Sequence, residues 1–313
     1  MSTTTTVRRD LLGPETQARR RSFDELRRAG QRATRSGRLQ EALRCFEGAL
    51  ALAREEGDQQ LIDLATCLRS GVAIALGEHR EVRSPLRDIL MRSASSEVGF
   101  LAADNLSRSY EITKDFKKGL FYAKVARNHA RASDNSAWLA ATFNQSGNCL
   151  LGDSFFQEAA EAYQQALALL PVRLSLPRAI LMLNLGYCQS VLGNLRRGFE
   201  LGFKSLRWFR RLGARSYQPW SHLDLCYAYL QIDRADRALR HGRRALEMAE
   251  RSGEQDLIKN ALFMLGEAEH AAGEVAEAYG CFKLLQRSFY PDAPQLAELM
   301  LAVDMRQMVN LRA

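Results

Sequence analysis

Seven small residues recur along the chain at nearly constant intervals: Gly30, Ser70, Ser107, Gly147, Gly186, Cys226 and Gly266, with steps of 40, 37, 40, 39, 40 and 40 residues. A second series follows about twelve residues after each one, as Ala42, Val82, Gly119, Ala159, Gly198, Ala238 and Ala278. A third lies seven residues further on, as Ala49, Ile89, Ala126, Ala166, Ser205, Ala245 and Leu285. Small residues at three fixed places in a repeating unit mark close approaches between helices. A unit of this size cannot bury its apolar face alone, so neighbouring units must stack.

Within each repeat the first segment carries apolar residues three and four apart, as in Leu181, Leu185, Cys188 and Leu192, which is the signature of an amphipathic helix. A short break follows, at Ser36-Gly37-Arg38, Leu76-Gly77-Glu78, Thr113-Lys114-Asp115, Gly152-Asp153, Gly193-Asn194, Ile232-Asp233-Arg234 and Gly273-Glu274. Gly and short polar residues there suit the left-handed backbone that ends a helix. A second helix then carries the alanine series. Between repeats, Glu56-Gly57-Asp58, Ala132-Ser133-Asp134, Leu212-Gly213-Ala214 and Ser252-Gly253-Glu254 supply stops and caps, while Pro171 and Pro177 stiffen the fourth joint. The pattern predicts fourteen helices, two per repeat, and no strand. A last amphipathic stretch, Gln295 to Leu311, is expected to cap the final repeat.

The fourth repeat carries a family resemblance. Gly147, Ala159, Tyr163, Ala166 and Pro171 stand where the tetratricopeptide repeat places its small first-helix residue, its second-helix Ala, aromatic and Ala, and its closing Pro. Repeats one (Gly30, Gly37, Ala42, Phe46, Ala49) and seven (Gly266, Gly273, Ala278, Phe282) match well, and repeat two is degenerate, with Val82, Pro85 and Leu86 in its second helix. The period near 40 resembles the longer-helix subgroup that includes kinesin light chain, LGN-type adaptors and bacterial peptide-sensing regulators. The resemblance implies an all-α, right-handed α-solenoid. The expected organisation is a disordered basic tail over 1–22, seven repeats over 23–290 and a capping helix within 291–313. The repeats fall at about 23–58, 59–95, 96–134, 135–174, 175–214, 215–253 and 254–290.

Composition narrows the function by exclusion. No apolar run approaches the roughly 18 residues that cross a bilayer. Residues 1–22 lack the apolar core of a secretory signal. The six cysteines are scattered singly and read as reduced packing residues, so a cytoplasmic location is expected. No phosphate loop, serine elbow, zinc helix or histidine pair with metal-ligand spacing occurs. His222 and Cys226 sit four apart, but Cys226 occupies the small packing slot shared with Gly186 and Gly266. The chain is therefore read as a non-enzyme with neither cofactor nor metal.

The resemblance implies that the first helices of successive repeats line a concave groove, and positions i, i+4 and i+7 share one helix face. That face reads Leu101, Asn105, Arg108 in repeat three; Ala141, Gln145, Asn148 in four; Ile180, Asn184, Tyr187 in five; Trp220, Asp224, Tyr227 in six; and Asn260, Met264, Glu267 in seven. Its middle column stays polar through Asn105, Gln145, Asn184 and Asp224. Amide side chains both donate and accept, as an extended peptide backbone requires, while Tyr187, Trp220 and Tyr227 add anchoring surface. The expected partner-binding set is Asn105, Arg108, Gln145, Asn148, Asn184, Tyr187, Trp220, Asp224 and Tyr227; solvated polar residues on exposed helix faces are the alternative. The family's clamp for an acidic chain terminus is not met, because Asn144, Trp220 and Asp224 stand where it needs bases.

The net charge of +8 is unevenly placed, with thirteen bases against six acids over residues 196–251. Lys204, Arg207 and Arg211 form one stripe, and Arg237, Arg240 and Arg244 repeat the spacing one repeat later. Three functions stay open: an adaptor or regulatory subunit holding a protein or peptide segment, a peptide-sensing regulator acting on an output partner, and nucleic-acid binding through the basic stripes.

Overall fold

The computed structural model describes residues 14–306 and 308–312. Among them the chain is helical, in the order α1 (Pro14–Arg35), α2 (Leu39–Glu56), α3 (Gln59–Ala75), α4 (Arg83–Arg92), α5 (Ser96–Ile112), α6 (Phe116–Ala132), α7 (Ser136–Gly152) and α8 (Phe156–Leu169). It continues with α9 (Leu176–Val191), α10 (Leu195–Leu212), α11 (Gln218–Leu230), α12 (Ala235–Ser252), α13 (Gln255–Ala271), α14 (Val275–Phe289) and α15 (Leu296–Ala302). A short 3₁₀ turn, Arg215–Tyr217, leads into α11. The chain divides into two compact bodies, one ending at Ser146 and the other beginning at Gly147.

The turn between the two helices of every repeat is built on one left-handed residue. Gly37, Gly77, Gly193 and Gly273 have φ of 71° to 103°, and where glycine is missing Lys114, Ser154 and Asp233 take φ of 60°, 64° and 55°. Each of these seven residues lies seven positions after the small first-helix residue, so the turn shares the register of the packing series. Side-chain caps start several of the helices, and Asn135 opens α7 by accepting from the Trp138 N–H at 3.1 Å. Asp58 accepts from the backbone N–H groups of Gln60 and Leu61, Ser95 from Val98 and Asp115 from Lys118.

Sequence complementarity sets how each helix pair closes. A Cβ at Gly30, Gly147 or Gly266 would fall 2.6, 2.6 or 2.4 Å from the ring of Phe46, Tyr163 or Phe282. Each ring lies sixteen residues after its glycine. Where Ser70, Ser107 or Cys226 replaces the glycine, the residue sixteen on is Leu86, Ala123 or Gly242. A side chain at the first position thus goes with a residue smaller than an aromatic ring, whereas Gly186 is followed by Gly202 and a Cβ there would lie 3.4 Å from backbone atoms of Gly198 and Gly202.

In the N-terminal body the largest apolar cluster gathers Phe23, Leu50, Leu64, Ile74, Leu86, Ile89 and Leu106. The C-terminal body packs Ala179, Leu183 and Phe209 beneath Trp208, Tyr217 and Trp220. Among the described residues no helix is long and apolar enough to cross a membrane.

Two boundaries differ from expectation. The expected disordered tail lies outside the described residues as far as residue 13, but from Pro14 the chain is already helical. Pro14 suits the first helical position, and the sequence to Arg21 contains no helix breaker, so α1 begins nine residues upstream of residue 23. At the other end the capping helix is short. Only Leu296–Ala302 is helical, burying Ala297 and Met300, while Leu299 and Met308 stay exposed. Beyond Val303 the chain leaves the helix and Leu311 becomes buried elsewhere, at 1% exposure.

Candidate functional site

The expected binding residues divide between the bodies. In the N-terminal body, Asn105 is buried and its Nδ2 donates to the Cys67 carbonyl at 2.8 Å, tying α5 to α3. Gln145 is buried as well and its Nε2 lies 3.4 Å from a carboxylate oxygen of Glu111. Arg108 is half-buried, near the carboxylates of Asp104 and Glu111. Burial pushes both carboxyls up, and Arg108 pulls them down. Asn105 and Gln145 thus spend hydrogen bonds inside the repeat stack.

In the C-terminal body the other six residues lie on helices that stack side by side. Asn148 on α7 accepts from the Tyr163 hydroxyl at 3.0 Å and from Asn184 Nδ2 at 3.3 Å. Tyr187 on α9 meets Tyr227 on α11 edge to face, with ring centroids 5.8 Å apart. Asp224, also on α11, is 5% exposed. Asn260 and Glu267 on α13 continue the same face, as their register predicts, although they are outside the expected binding set.

This face is covered by the chain's own C-terminal segment. The Leu311 N–H donates to the Tyr187 hydroxyl at 3.0 Å, and Asn260 Nδ2 donates to the Leu311 carbonyl at 2.9 Å, so both backbone polar groups of one residue are held. Asn310 Nδ2 donates to the Leu151 carbonyl at 2.6 Å and reaches Ser154 Oγ at 3.1 Å. One Nη of Arg312 donates to both carboxylate oxygens of Asp224 at 2.8 Å. The same guanidinium lies 4.4 Å from the ring centre of Trp220 and 5.0 Å from that of Tyr187. Arg306 sits beside Glu267 at 3.6 Å, pairs with Asp304, and donates to the Leu230 carbonyl at 3.4 Å.

Electrostatics follow from burial. Desolvation pushes the carboxyls of Asp224 and Glu267 up to about 7, against the pull of Arg312 and Arg306 respectively. The Tyr187 hydroxyl is raised for the same reason and stays a neutral donor and acceptor. The site is an acid and aromatic box for a cation beside an amide and hydroxyl pair for a peptide group. Sequence reasoning missed Leu311 and Arg312, because the polar column identifies a face and carries no signal of which segment lies against it.

The basic stripes are on the same body. Lys204, Arg207 and Arg211 on α10 and Arg237, Arg240 and Arg244 on α12 are all exposed. The two helices meet where Phe203 packs on His241, centroids 6.2 Å apart. Arg240 lies 3.8 Å from Asp236 and Arg244 2.6 Å from Glu247, so part of the positive charge is paired. Cys226 is fully buried, its thiol pushed up by desolvation, and His222 turns away to His241 with Nδ1 atoms 3.0 Å apart. That geometry forms no activated thiolate. Among the described residues no three His, Cys, Asp or Glu side chains gather as a metal site.

No family model matches the chain, and no curated protein matches its sequence. Solved structures do match its fold. A Rap protein complexed with competence and sporulation factor aligns with a TM-score of 0.70 at 11% identity, covering 92% of this chain and 78% of that one. The apo form of RapI aligns at 0.63 and 12% identity, covering 94% and 85%. A tetratricopeptide repeat protein from Parabacteroides merdae aligns at 0.53 and 14% identity, covering 92% and 100%. The chain has the all-α tetratricopeptide-repeat solenoid fold. At these identities the likeness carries the fold alone, and the site must be argued from this chain's residues.

Proposed function

We propose that this protein is a non-enzymatic adaptor or regulatory subunit that binds a protein or peptide segment on the face formed by α9, α11 and α13. The observation that carries this reading is the backbone of Leu311. Its N–H and C=O are both taken by side chains of this face, Tyr187 and Asn260, so the face already satisfies the backbone of a bound segment. Burying a peptide group without partners costs several kcal/mol, and a face that supplies both partners is suited to polypeptide. The Rap protein of similar fold was solved complexed with a competence and sporulation factor, and a STAND protein from Pyrococcus horikoshii of similar fold has a tetratricopeptide repeat sensor. Both fit a binding role for the present chain. On this reading Asn148, Asn184, Tyr187, Trp220, Asp224 and Tyr227 serve the partner, and Asn105, Arg108 and Gln145 support the stack.

Nucleic-acid binding through Lys204, Arg207, Arg211, Arg237, Arg240 and Arg244 is the weaker reading, because Arg240 and Arg244 already face carboxylates. A photo-crosslinking amino acid placed at Asn184, and separately at Arg207, in the native host separates the two. Partner adducts from position 184 that disappear with Asp224→Lys support the groove. Adducts obtained from position 207 alone, lost at raised salt, overturn it.

A further inference from the structure

We propose that residues 308–312 are an intramolecular ligand that closes the groove, and that the partner which displaces them is a peptide segment presenting an arginine to Asp224. This rests on the groove reading above and adds to it a gate and a ligand chemistry.

Three features distinguish this segment from one that merely packs where it can. It leaves the helix: α15 stops at Ala302, although Val303 and Met308 would continue an amphipathic pattern, and both remain exposed. It delivers Leu311 to full burial and engages both polar groups of that residue's backbone. And it places one guanidinium where a carboxylate and two aromatic faces converge. Asp224 is almost fully buried, and a buried carboxylate is costly unless a cation is paired with it. The box is therefore built for a cation, and Arg312 is the cation that fills it.

The contacts separate into general and selective ones. Tyr187 and Asn260 read backbone and accept any residue's peptide group. Asp224, Trp220 and Tyr187 read a planar cation, which stacks between aromatic faces while donating to a carboxylate, as an ammonium does less well. Leu151 and Ser154 read a side-chain amide, that of Asn310. A displacing partner thus needs an apolar residue whose backbone N–H and C=O are both free, and an arginine after it.

A segment tethered by a few residues acts at an effective concentration on the order of millimolar. A free segment with the same contacts competes poorly until it offers additional ones or the tether is loosened. The chain is closed by default and opens to a partner that outbids its own tail.

The test uses the full chain and a fluorescent peptide of residues 304–313, read by anisotropy at pH 8. The wild-type protein is expected to bind it at least ten-fold more weakly than the Leu311→Asp/Arg312→Ala variant, whose own tail is released. Adding Asp224→Asn to that variant is expected to remove the gain, as is a peptide carrying Ala in place of Arg312. Equal affinity of wild-type and released chains overturns the gate and leaves the groove reading standing. No binding to a released chain that keeps wild-type circular dichroism and a cooperative unfolding transition overturns both. Hydrogen exchange on the unaltered protein gives an independent measure: the Leu311 amide is expected to be protected, and exchange at the rate of an unstructured peptide overturns the proposal without any substitution.

Discussion

A single Nη of Arg312 lies 2.8 Å from each carboxylate oxygen of Asp224, joining the last turn of the described chain to the middle of α11. The pair contributes only while Asp224 is ionised, and burial has moved that carboxyl up to about 7. A raised folded value means that the carboxyl's own contribution to stability is complete below its ordinary 3.8 and is lost as pH rises through about 7. Arg312 limits that loss. Arg312→Ala is therefore expected to destabilise by on the order of 1–2 kcal/mol at pH 8.5, and by clearly less at pH 6, where Asp224 holds a proton. Urea denaturation of both proteins at the two values checks this; an equal difference at both would contradict it.

Asn105 and Asn260 lie on the same face of their repeats, at its second and first positions respectively, and do different work. Asn105→Ala leaves the buried Cys67 carbonyl without its donor at 2.8 Å and is expected to cost about 1–2 kcal/mol of global stability. Asn260→Ala removes a donor to the tail, and its expected effect is faster amide exchange at residues 310–312 with little change in the unfolding midpoint. Denaturant unfolding with exchange mass spectrometry separates the two outcomes.

His222 and His241 give the protein an acid sensitivity. Burial pushes His222 down to about 3, helped by His241 and by Arg210 and Arg244. His241 falls to about 4, again mainly through burial, with Arg240, Arg210 and Arg237 adding. Folded values below the ordinary 6.5 mean that the unfolded chain takes up protons first. The stability these neutral rings permit is present above pH 6.5 and is lost as pH falls toward 4. Between pH 7 and 5 the expected loss is on the order of 2 kcal/mol, allowing for solvent at the half-buried His241. It is read as the difference in pH slope between wild-type and His222→Phe/His241→Phe. That difference isolates it from Asp224 and Glu267, whose raised values act with the opposite sign.

Gly147 is required by Tyr163. An alanine Cβ there would sit 2.6 Å from the ring, so Gly147→Ala is expected to destabilise by about 1–3 kcal/mol despite alanine's better helix propensity. Tyr163→Leu in the Gly147→Ala background is expected to recover part of that loss by opening the space, although it surrenders the hydrogen bond to Asn148. Thermal unfolding of the three proteins decides it.

Much of the fold is legible because its rules are local and repeated. The turn residues, the small residues and the aromatics sixteen positions on all keep one register, so seven weak signals reinforce one another. Even Lys114, Ser154 and Asp233, which are not glycines, mark their turns by position. The two ends are read less well. Residues 14–22 have no small-residue series to place them, yet they extend α1, because helix propensity needs no repeat. At the other end an amphipathic pattern suggests a longer helix, and the chain instead exchanges helix for contacts in the groove.

The amino-acid sequence by itself determined the repeat, the register of the packing columns and the face on which Asn184, Tyr187, Trp220 and Asp224 lie, since each follows from spacings of three, four and forty residues along one chain. Only the tertiary structure decided that Asn105 is spent between helices, and that Arg312 fills the box at Asp224. Those are contacts across 38 and 88 residues. Periodicity fixes which side of a helix a residue occupies, but what lies against that side depends on where a distant, non-repeating segment finds burial and a partner for its charge.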